Sequence, residues 1–334
     1  MDISINSIAV TGATGIIGNS LLELLSNYPT VTVYAIGNSN IALQKKYSNI
    51  HYIKLDLEKE ELPLDEWRCE ALIHLAAQSG GVLSSSKNPW LQVSQNIAID
   101  NQIFRTIASH PQYLKNFIYA STSSAYPNLD KEVHEHAMDF NIDPMLNHFG
   151  VGWVKRFGEK MCDLLAQQYP NLQICIPRFS NVYGPCARFD PLYANFIPAL
   201  IRKALERQEP FEIWGSPDVT RDVLFANDAA SALLAMLTAP AQKEAAINTP
   251  RIFNVGAGKT VTVAEVADQC CIAAGFTPQR QIYTNANSQT IASKRVLNCT
   301  KINQELGWQA TTSLSEGIAF TTKWWKENRT IWTK

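Results

Sequence analysis

This 334-residue chain lacks any block of like charge, any long apolar run and any C-x-x-C cysteine pair. Lysine plus arginine number 29 against 30 aspartate plus glutamate, a net charge of −1. The attraction that draws basic proteins to nucleic acid or to anionic membranes is therefore missing. No apolar run approaches the roughly 18 residues that a membrane span needs. The opening stretch, MDISINSIAVTGATG, has no basic segment followed by an apolar core, so no secretory leader is expected. A cytoplasmic protein with no nucleic-acid and no membrane partner follows as the expectation. The seven cysteines, Cys69, Cys162, Cys175, Cys186, Cys270, Cys271 and Cys299, are odd in number and scattered. Neither a disulfide framework nor a metal site is expected from them.

Short β-branched runs alternate with longer amphipathic stretches through the first half. Expected strands are Ser7 to Thr11, Val31 to Ile36, His51 to Leu55, Ala71 to Leu75, Phe117 to Ser121 and Gln173 to Pro177. Expected helices between them are Ile16 to Asn27, Pro89 to Ser109 and Val151 to Gln168. Strand and helix taking turns marks a parallel sheet covered on both faces, which binds ligands at the carboxyl ends of its strands. After Arg178 the alternation weakens. Tyr183 to Pro191 reads as loop, Phe196 to Arg207 as helix, Phe211 to Trp214 as strand, and Val263 to Ala274 and Leu314 to Asn328 as helices.

Between the first strand and the first helix lies TGATGIIG, residues 11–18, with glycines at Gly12, Gly15 and Gly18. Glycine lets the backbone turn sharply and approach a diphosphate, while helix N-terminal N–H groups point at the anion. Gly12, Thr14, Gly15, Ile16, Ile17 and Gly18 are therefore the first candidate cofactor residues. The fold expected is α/β, a Rossmann-type doubly wound parallel sheet with a smaller α/β C-terminal substrate lobe. Residues 1–178 form the dinucleotide-binding domain, with 217–240 returning to it, and 179–216 plus 241–334 form the lobe.

Ten segments in this order carry a resemblance: TGATGIIG (11–18), LDL (55–57), HLAAQ (74–78), NPWLQVSQN (88–96), STSSAYP (121–127), RFSNVYGP (178–185), NFIPALIRK (195–203), RDVLFANDAA (221–230), FNVGAG (253–258) and LGWQATTSLSEG (306–317). The chain resembles the extended short-chain dehydrogenase/reductases, in particular the NAD-dependent epimerase/dehydratases acting on nucleotide sugars, and within them the GDP-fucose synthase branch. The resemblance implies NAD or NADP as cofactor. It places Asp56 and Leu57 beside the adenine, Leu75, Ala76 and Ala77 along the diphosphate and ribose, and Asn96 on the helix behind them; plain packing is the competing role for the apolar members. The second strand ends Tyr34-Ala35-Ile36-Gly37-Asn38, where an acid would select NAD and a basic residue NADP. Asn38 donates to either group, so this strand end leaves both open.

The family carries a hydroxyl residue four before the tyrosine of a strand-end turn, and Tyr126-Pro127 puts Thr122 there. Thr122 would hold the sugar oxygen being oxidised or reduced. Dehydratases have acids at the next two positions; Ser123 and Ser124 stand here, which argues against loss of water. The family's general acid/base is a tyrosine four residues before a lysine, one helix face joining them, so that the ammonium lowers the phenol pKa. The lysine is Lys155, which would also bond the nicotinamide ribose, but the tyrosine position is Val151, which carries no proton. His148 and Tyr126 are the nearest substitutes, each with a structural or substrate-loop role as its alternative. In the fucose synthase branch a cysteine and a histidine carry the epimerising proton transfers; Ser124 and Asn195 occupy those positions.

Asn181, Arg221 and Arg295 match positions facing the nucleotide diphosphate in relatives, and arginine's planar fork suits phosphate. For Arg221 a salt bridge to Asp222 or Asp228 is the alternative. Tyr126 joins the substrate-facing set with Ser124 and Asn195. By resemblance the chain is a homodimer through the helices beginning at Pro89 and Val151. The leading expectation is an NAD(P)-dependent nucleotide-sugar-modifying oxidoreductase or epimerase with hydride transfer at a sugar carbon. Its alternative is a catalytically silent NAD(P)- and nucleotide-sugar-binding chain or partner subunit, or an active-site-altered variant of an active enzyme.

Overall fold

A computed structural model describes residues 5–38, 45–80, 88–110, 112–191, 193–240, 248–284 and 295–332. The strands of its central sheet are β1 (Ser7–Thr11), β2 (Thr32–Gly37), β3 (Ile50–Lys54), β4 (Ala71–His74), β5 (Asn116–Tyr119), β6 (Gln173–Phe179) and β7 (Arg251–Val255). They pair in parallel in the order β7-β6-β5-β4-β1-β2-β3, and the short segment Ser121–Thr122 also pairs with β6. Among the described residues the α-helices are α1 (Ile16–Leu25), α2 (Pro89–Ser109), α3 (Phe149–Gln168), α4 (Phe196–Leu205), α5 (Ala226–Leu237), α6 (Val263–Ala274), α7 (Thr300–Leu306) and α8 (Leu314–Trp332).

Every residue of β1 and β4 is buried, as the near-continuous apolar runs of a sheet covered on both faces require. Alternation along β1 divides the core. Ile8 and Val10 pack with Leu21 and Leu22 of α1 and Leu233 of α5, whereas Ala9 packs with Leu72, Ile103 of α2 and Leu165 of α3. Successive strands run outward from β1 through β2 to β3, and from β4 the other way. The direction changes between β1 and β4, and it is outside the carboxyl ends at such a switch point that open α/β sheets form their ligand crevice. This is the doubly wound arrangement expected from the alternation of elements.

Segment 217–240 contributes α5, which packs on α1. Arg251–Val255, expected in the smaller lobe, is instead the edge strand of the main sheet, and α7 packs against it. The physical reason is register: Arg251 pairs with Cys175 and Val255 with Phe179 across more than seventy positions of sequence, a pairing that local pattern does not specify. The lobe has its own core, where Ile201 of α4, Phe211, Val266 of α6 and Ile318 of α8 meet. There Phe211–Trp214 pairs in parallel with Gln281–Thr284. Helix α6 begins with a capping box between Thr262 and Glu265 and ends at Gly275 with φ 63°. Among the described residues no helix is long and apolar enough to cross a membrane.

Candidate functional site

The glycine loop follows β1 directly. Gly12 has φ +66°, and a Cβ there would lie 2.7 Å from the backbone of Leu75 and Ala76, so the loop packs against the chain leaving β4. A Cβ on Gly18 would strike the Gly12 carbonyl; its absence lets α1 start close against the loop. Gly15 caps α1 without a side-chain hydrogen bond, and the first turn holds no acid. The N–H groups at that end remain available to an anion, and the loop fits a dinucleotide diphosphate.

The other cofactor candidates follow neighbouring strands. Thr14 and the half-buried Ile16 and Ile17 flank the loop, and Asn38 is exposed just past β2. Asp56 lies past β3; its carboxylate accepts from Lys59 Nζ at 3.1 Å and Glu58 N at 3.2 Å, and the lysine bond first of all holds its pKa below the usual range. Leu57 is buried in the core. Leu75 and Ala76 are half-buried and Ala77 exposed. Asn96 of α2 fastens this segment, accepting from Gln78 N at 2.8 Å and donating to Gln78 O at 3.0 Å.

Beneath the crevice the parallel register sets Thr11 level with His74 and His74 level with Tyr119. A buried polar chain results. Thr11 Oγ1 lies 2.7 Å from His74 Nδ1 and accepts from Ala76 N at 3.3 Å; because Nε2 of the neutral ring faces a carboxylate that only accepts, Nδ1 is the acceptor and the Thr11 hydroxyl donates to it. His74 Nε2 then donates to Asp100 Oδ1 at 3.0 Å, and Tyr119 donates to Asp100 Oδ2 at 2.5 Å. Lys155 of α3 reaches the same carboxylate at 3.5 Å and the Tyr119 hydroxyl at 3.2 Å. Burial pushes the Asp100 carboxyl up, but the Lys155 ammonium and the His74 bond outweigh it and hold it below the ordinary value. Burial lowers His74, so its imidazole is neutral, and burial together with the Asp100 charge raises the Tyr119 phenol well above 10.0. Gly158 makes room for this phenol, because a Cβ there would overlap the Tyr119 ring.

A second buried network holds the neighbouring turn. Arg178 grips Glu159 through Nε at 2.9 Å and Nη2 at 2.6 Å, and Ser121 donates to Glu159 at 2.6 Å. Tyr126 was expected to face substrate; its ring is fully buried, with its hydroxyl donating to Asn254 Oδ1 at 2.7 Å and accepting from Arg178 at 2.9 Å. Its place is in the core, because Asn254 arrives on β7, the strand whose sheet position local pattern did not specify.

Beside these networks a cavity of about 60 Å³ is lined by Ser123, Ser124, Met145, His148, Ser180, Asn181, Thr220, Arg221, Asp222, Arg295 and Leu297. Four substrate candidates meet there: Ser124, Asn181, Arg221 and Arg295. Asn195 does not line it; exposed, it caps α4. Thr122 is half-buried one residue from the lining, its Oγ1 accepting from Ser124 N at 3.1 Å. Burial, then the charge of Arg221, pulls the Arg295 guanidinium down to about 10. Burial and the same two arginines lower His148. The acids suggested as partners for Arg221 accept from backbone amides: Asp222 from Ala257 N and Leu297 N, and Asp228 from Thr311 N and Thr312 N. Two guanidinium groups and the Asp222 carboxyl line one polar hollow, and the arginine forks suit an anionic ligand. The sequence reading did not find Asp100, Tyr119, Met145, Thr220 or Leu297. For Asp100 a signal existed, an acid within the apolar helical pattern IAIDNQIF.

The profile of the NAD dependent epimerase/dehydratase family matches residues 8–256. GDP-L-fucose synthase of Escherichia coli (strain K12) is 26% identical over 271 residues, covering 78% of this chain and 82% of that protein. UDP-glucuronate 4-epimerase of Thermodesulfobacterium geofontis is 27% identical over 337 residues, covering 96% of each. The fold is similar to that of the UDP-glucuronic acid 4-epimerase from Bacillus cereus solved with UDP-glucuronic acid and NAD. That likeness has a TM-score of 0.78 at 24% identity, over 96% of this chain and 99% of the other. The expected cofactor class, NAD or NADP, rests on the same family match, and the residues of the glycine loop would hold it. With 249 of 334 positions spanned by the family profile, the chain belongs to the NAD dependent epimerase/dehydratase family.

Proposed function

We propose that the chain is an NAD(P)-dependent oxidoreductase or isomerase that acts on a nucleotide-diphosphate sugar, with hydride transfer at a sugar carbon. The observation that carries this reading is that two features suited to anions lie beyond the carboxyl ends of the central strands. One is the glycine loop with its uncapped helix start; the other is the cavity of Arg221, Arg295 and His148. A bound nicotinamide would accept or supply the hydride. Lys155 would bond the ribose beside it, and the Thr122 hydroxyl would hold the sugar oxygen at the reacting carbon. Arg221, Arg295 and Asn181 would bind the sugar nucleotide's diphosphate. Ser123 and Ser124 supply no acid for loss of water, which favours reduction or epimerisation over dehydration. His148, kept neutral by burial and the two arginines, is an imidazole of the cavity lining that would exchange a proton where Val151 has none.

A second reading, a silent cofactor- and nucleotide-sugar-binding chain or partner subunit, is favoured by the same Val151 and by Ser124 and Asn195 at the two epimerising positions. We place either form in the cytoplasm, where the seven cysteines, all free, stay reduced. We assign a homodimer built on α2 and α3, which expose Trp90, Leu91 and Ile97, and Phe149, Phe157 and Leu164. The deciding experiment measures NAD+ and NADPH binding by tryptophan fluorescence, UDP-glucuronic acid binding by calorimetry, and turnover on UDP-glucose, UDP-glucuronic acid and GDP-mannose. Turnover establishes the enzyme, and binding without turnover establishes the silent form. Arg295→Ala weakens UDP-glucuronic acid binding by about 10- to 100-fold. Absence of dinucleotide binding overturns both readings.

A further inference from the structure

The amine of Lys155 has a partner that changes what it can do. Its Nζ lies 3.5 Å from Asp100 Oδ2, and the two side chains are 9% and 4% exposed. The same carboxylate accepts from Tyr119 and, through its other oxygen, from His74, which in turn meets Thr11 at the base of the glycine loop. All three neighbours donate and the carboxylate only accepts, so its charge is matched inside the network, while two of the three ammonium N–H groups of Lys155 are engaged, by Asp100 and Tyr119. A phenol is acidified beside a lysine because the ammonium field favours the phenolate. Where a carboxylate touches that ammonium, the two fields oppose each other at any group one helical turn away. Position 151 is one turn from Lys155 on the same face of α3.

We propose that Asp100 is a positioning residue and the counter-ion of Lys155: it fixes the ammonium between α2 and β5 and removes its power to activate a proton donor at position 151. Val151 and Asp100 then act as one unit. Restoring the phenol alone does not rebuild an acid/base pair, because the charge that would acidify it is already compensated. The ionisable and charged groups around this point include Lys155 and Glu159 on α3, Asp100 on α2, Tyr119 on β5, His74 on β4, His148 at the start of α3, and Arg221 and Arg295, whose charges act on His148 and are the same in every variant compared. Glu159 is engaged by Arg178, and His74 and His148 are neutral.

The proposal rests on the reading of residue 151 as the acid/base position, and its test needs neither cofactor nor sugar. Ultraviolet difference titration follows the phenol added by Val151→Tyr against the natural chain, and by Val151→Tyr with Asp100→Asn against Asp100→Asn alone. The amide keeps the shape of the carboxylate and removes its charge. The phenol added by Val151→Tyr is expected to titrate at or above tyrosine's ordinary value of about 10, and about one unit lower or more once Asp100 is neutralised. A phenol already a unit below that value in Val151→Tyr alone, or one unmoved by Asp100→Asn, overturns the proposal. Should Asp100→Asn lose its fold by circular dichroism, the Val151→Tyr titration decides by the first criterion. Turnover by the natural chain bears on the function and leaves this titration a separate result.

Discussion

Two histidines behave alike although one sits under the crevice and the other lines the cavity. Both His74 and His148 are depressed from 6.5, chiefly by burial. Their linkage to stability has a definite sign. In the unfolded chain an imidazole takes its proton below about 6.5, while in the folded chain it stays neutral to lower pH. The unfolded state therefore binds more protons in that interval. Stability is fully present above about 6.5 and falls as pH drops from there toward the folded-state values, by at most about 1.4 kcal/mol per pH unit for each histidine. Thermal unfolding followed from pH 8 to pH 5 should show Tm decreasing below about 6.5, and His148→Asn should make that decrease shallower. A Tm that is flat across the interval, or a slope unchanged by the substitution, contradicts the neutral assignment. The Asp100 carboxylate, held below its ordinary value, loses its contribution only at more acidic pH.

At the scale of elements, the site is made where strands stop and helices start. The loop from β1 to α1 works because two backbones approach within van der Waals reach, Gly12 against the chain after β4 and Gly18 against Gly12 itself. Gly12→Ala adds a Cβ at a φ of +66° that L residues rarely adopt, and aims it at backbone that cannot swing aside. The loop must shift, and dinucleotide binding should fall by about 100-fold or more, with a stability loss of about 1–3 kcal/mol. Fluorescence titration with NAD+ and a thermal melt measure the two effects. Retained binding would mean that the diphosphate is not held by this loop. Opposite it, α3 carries Lys155 and Glu159 one turn apart, each buried against a different polar partner, Asp100 and Arg178. One helix thereby pins the chain leaving β5, including Thr122, from two sides.

For the molecule as a whole, the proposed dimer sets the expectation. Helices α2 and α3 pack side by side and each exposes large apolar side chains, Phe157 being 56% exposed. If two copies pack there, Phe157→Glu introduces a charge into a desolvated contact, which costs several-fold to many-fold in association. Sedimentation should find the natural chain dimeric at micromolar concentration and the variant shifted to monomer with its fold intact. A natural chain that sediments as a monomer removes this face from consideration as a dimer contact. The two anion sites both lie within one chain, so cofactor and sugar-nucleotide binding should persist in the monomeric variant.

Much of this was legible in the sequence, because it depends on local chemistry. The alternation of β-branched runs with amphipathic stretches produced β1 to β6 within one or two residues, and the glycine spacing after Thr11 marked the phosphate loop. The chemical fact at position 151 needs no structure, since valine holds no exchangeable proton. What only tertiary structure decided are the pairings between distant residues. It set β7 beside β6, put the Tyr126 hydroxyl against Asn254 in the core, left Asn195 outside the cavity, and gathered Met145, Arg221 and Arg295 around it. It also joined Thr11, His74, Asp100, Tyr119 and Lys155 into one buried chain. Parallel strand register aligns three of those side chains and helix packing delivers the other two. Neither leaves a periodic mark in sequence, because burial lets a polar residue stand where an apolar one fits once its donors and acceptors are matched.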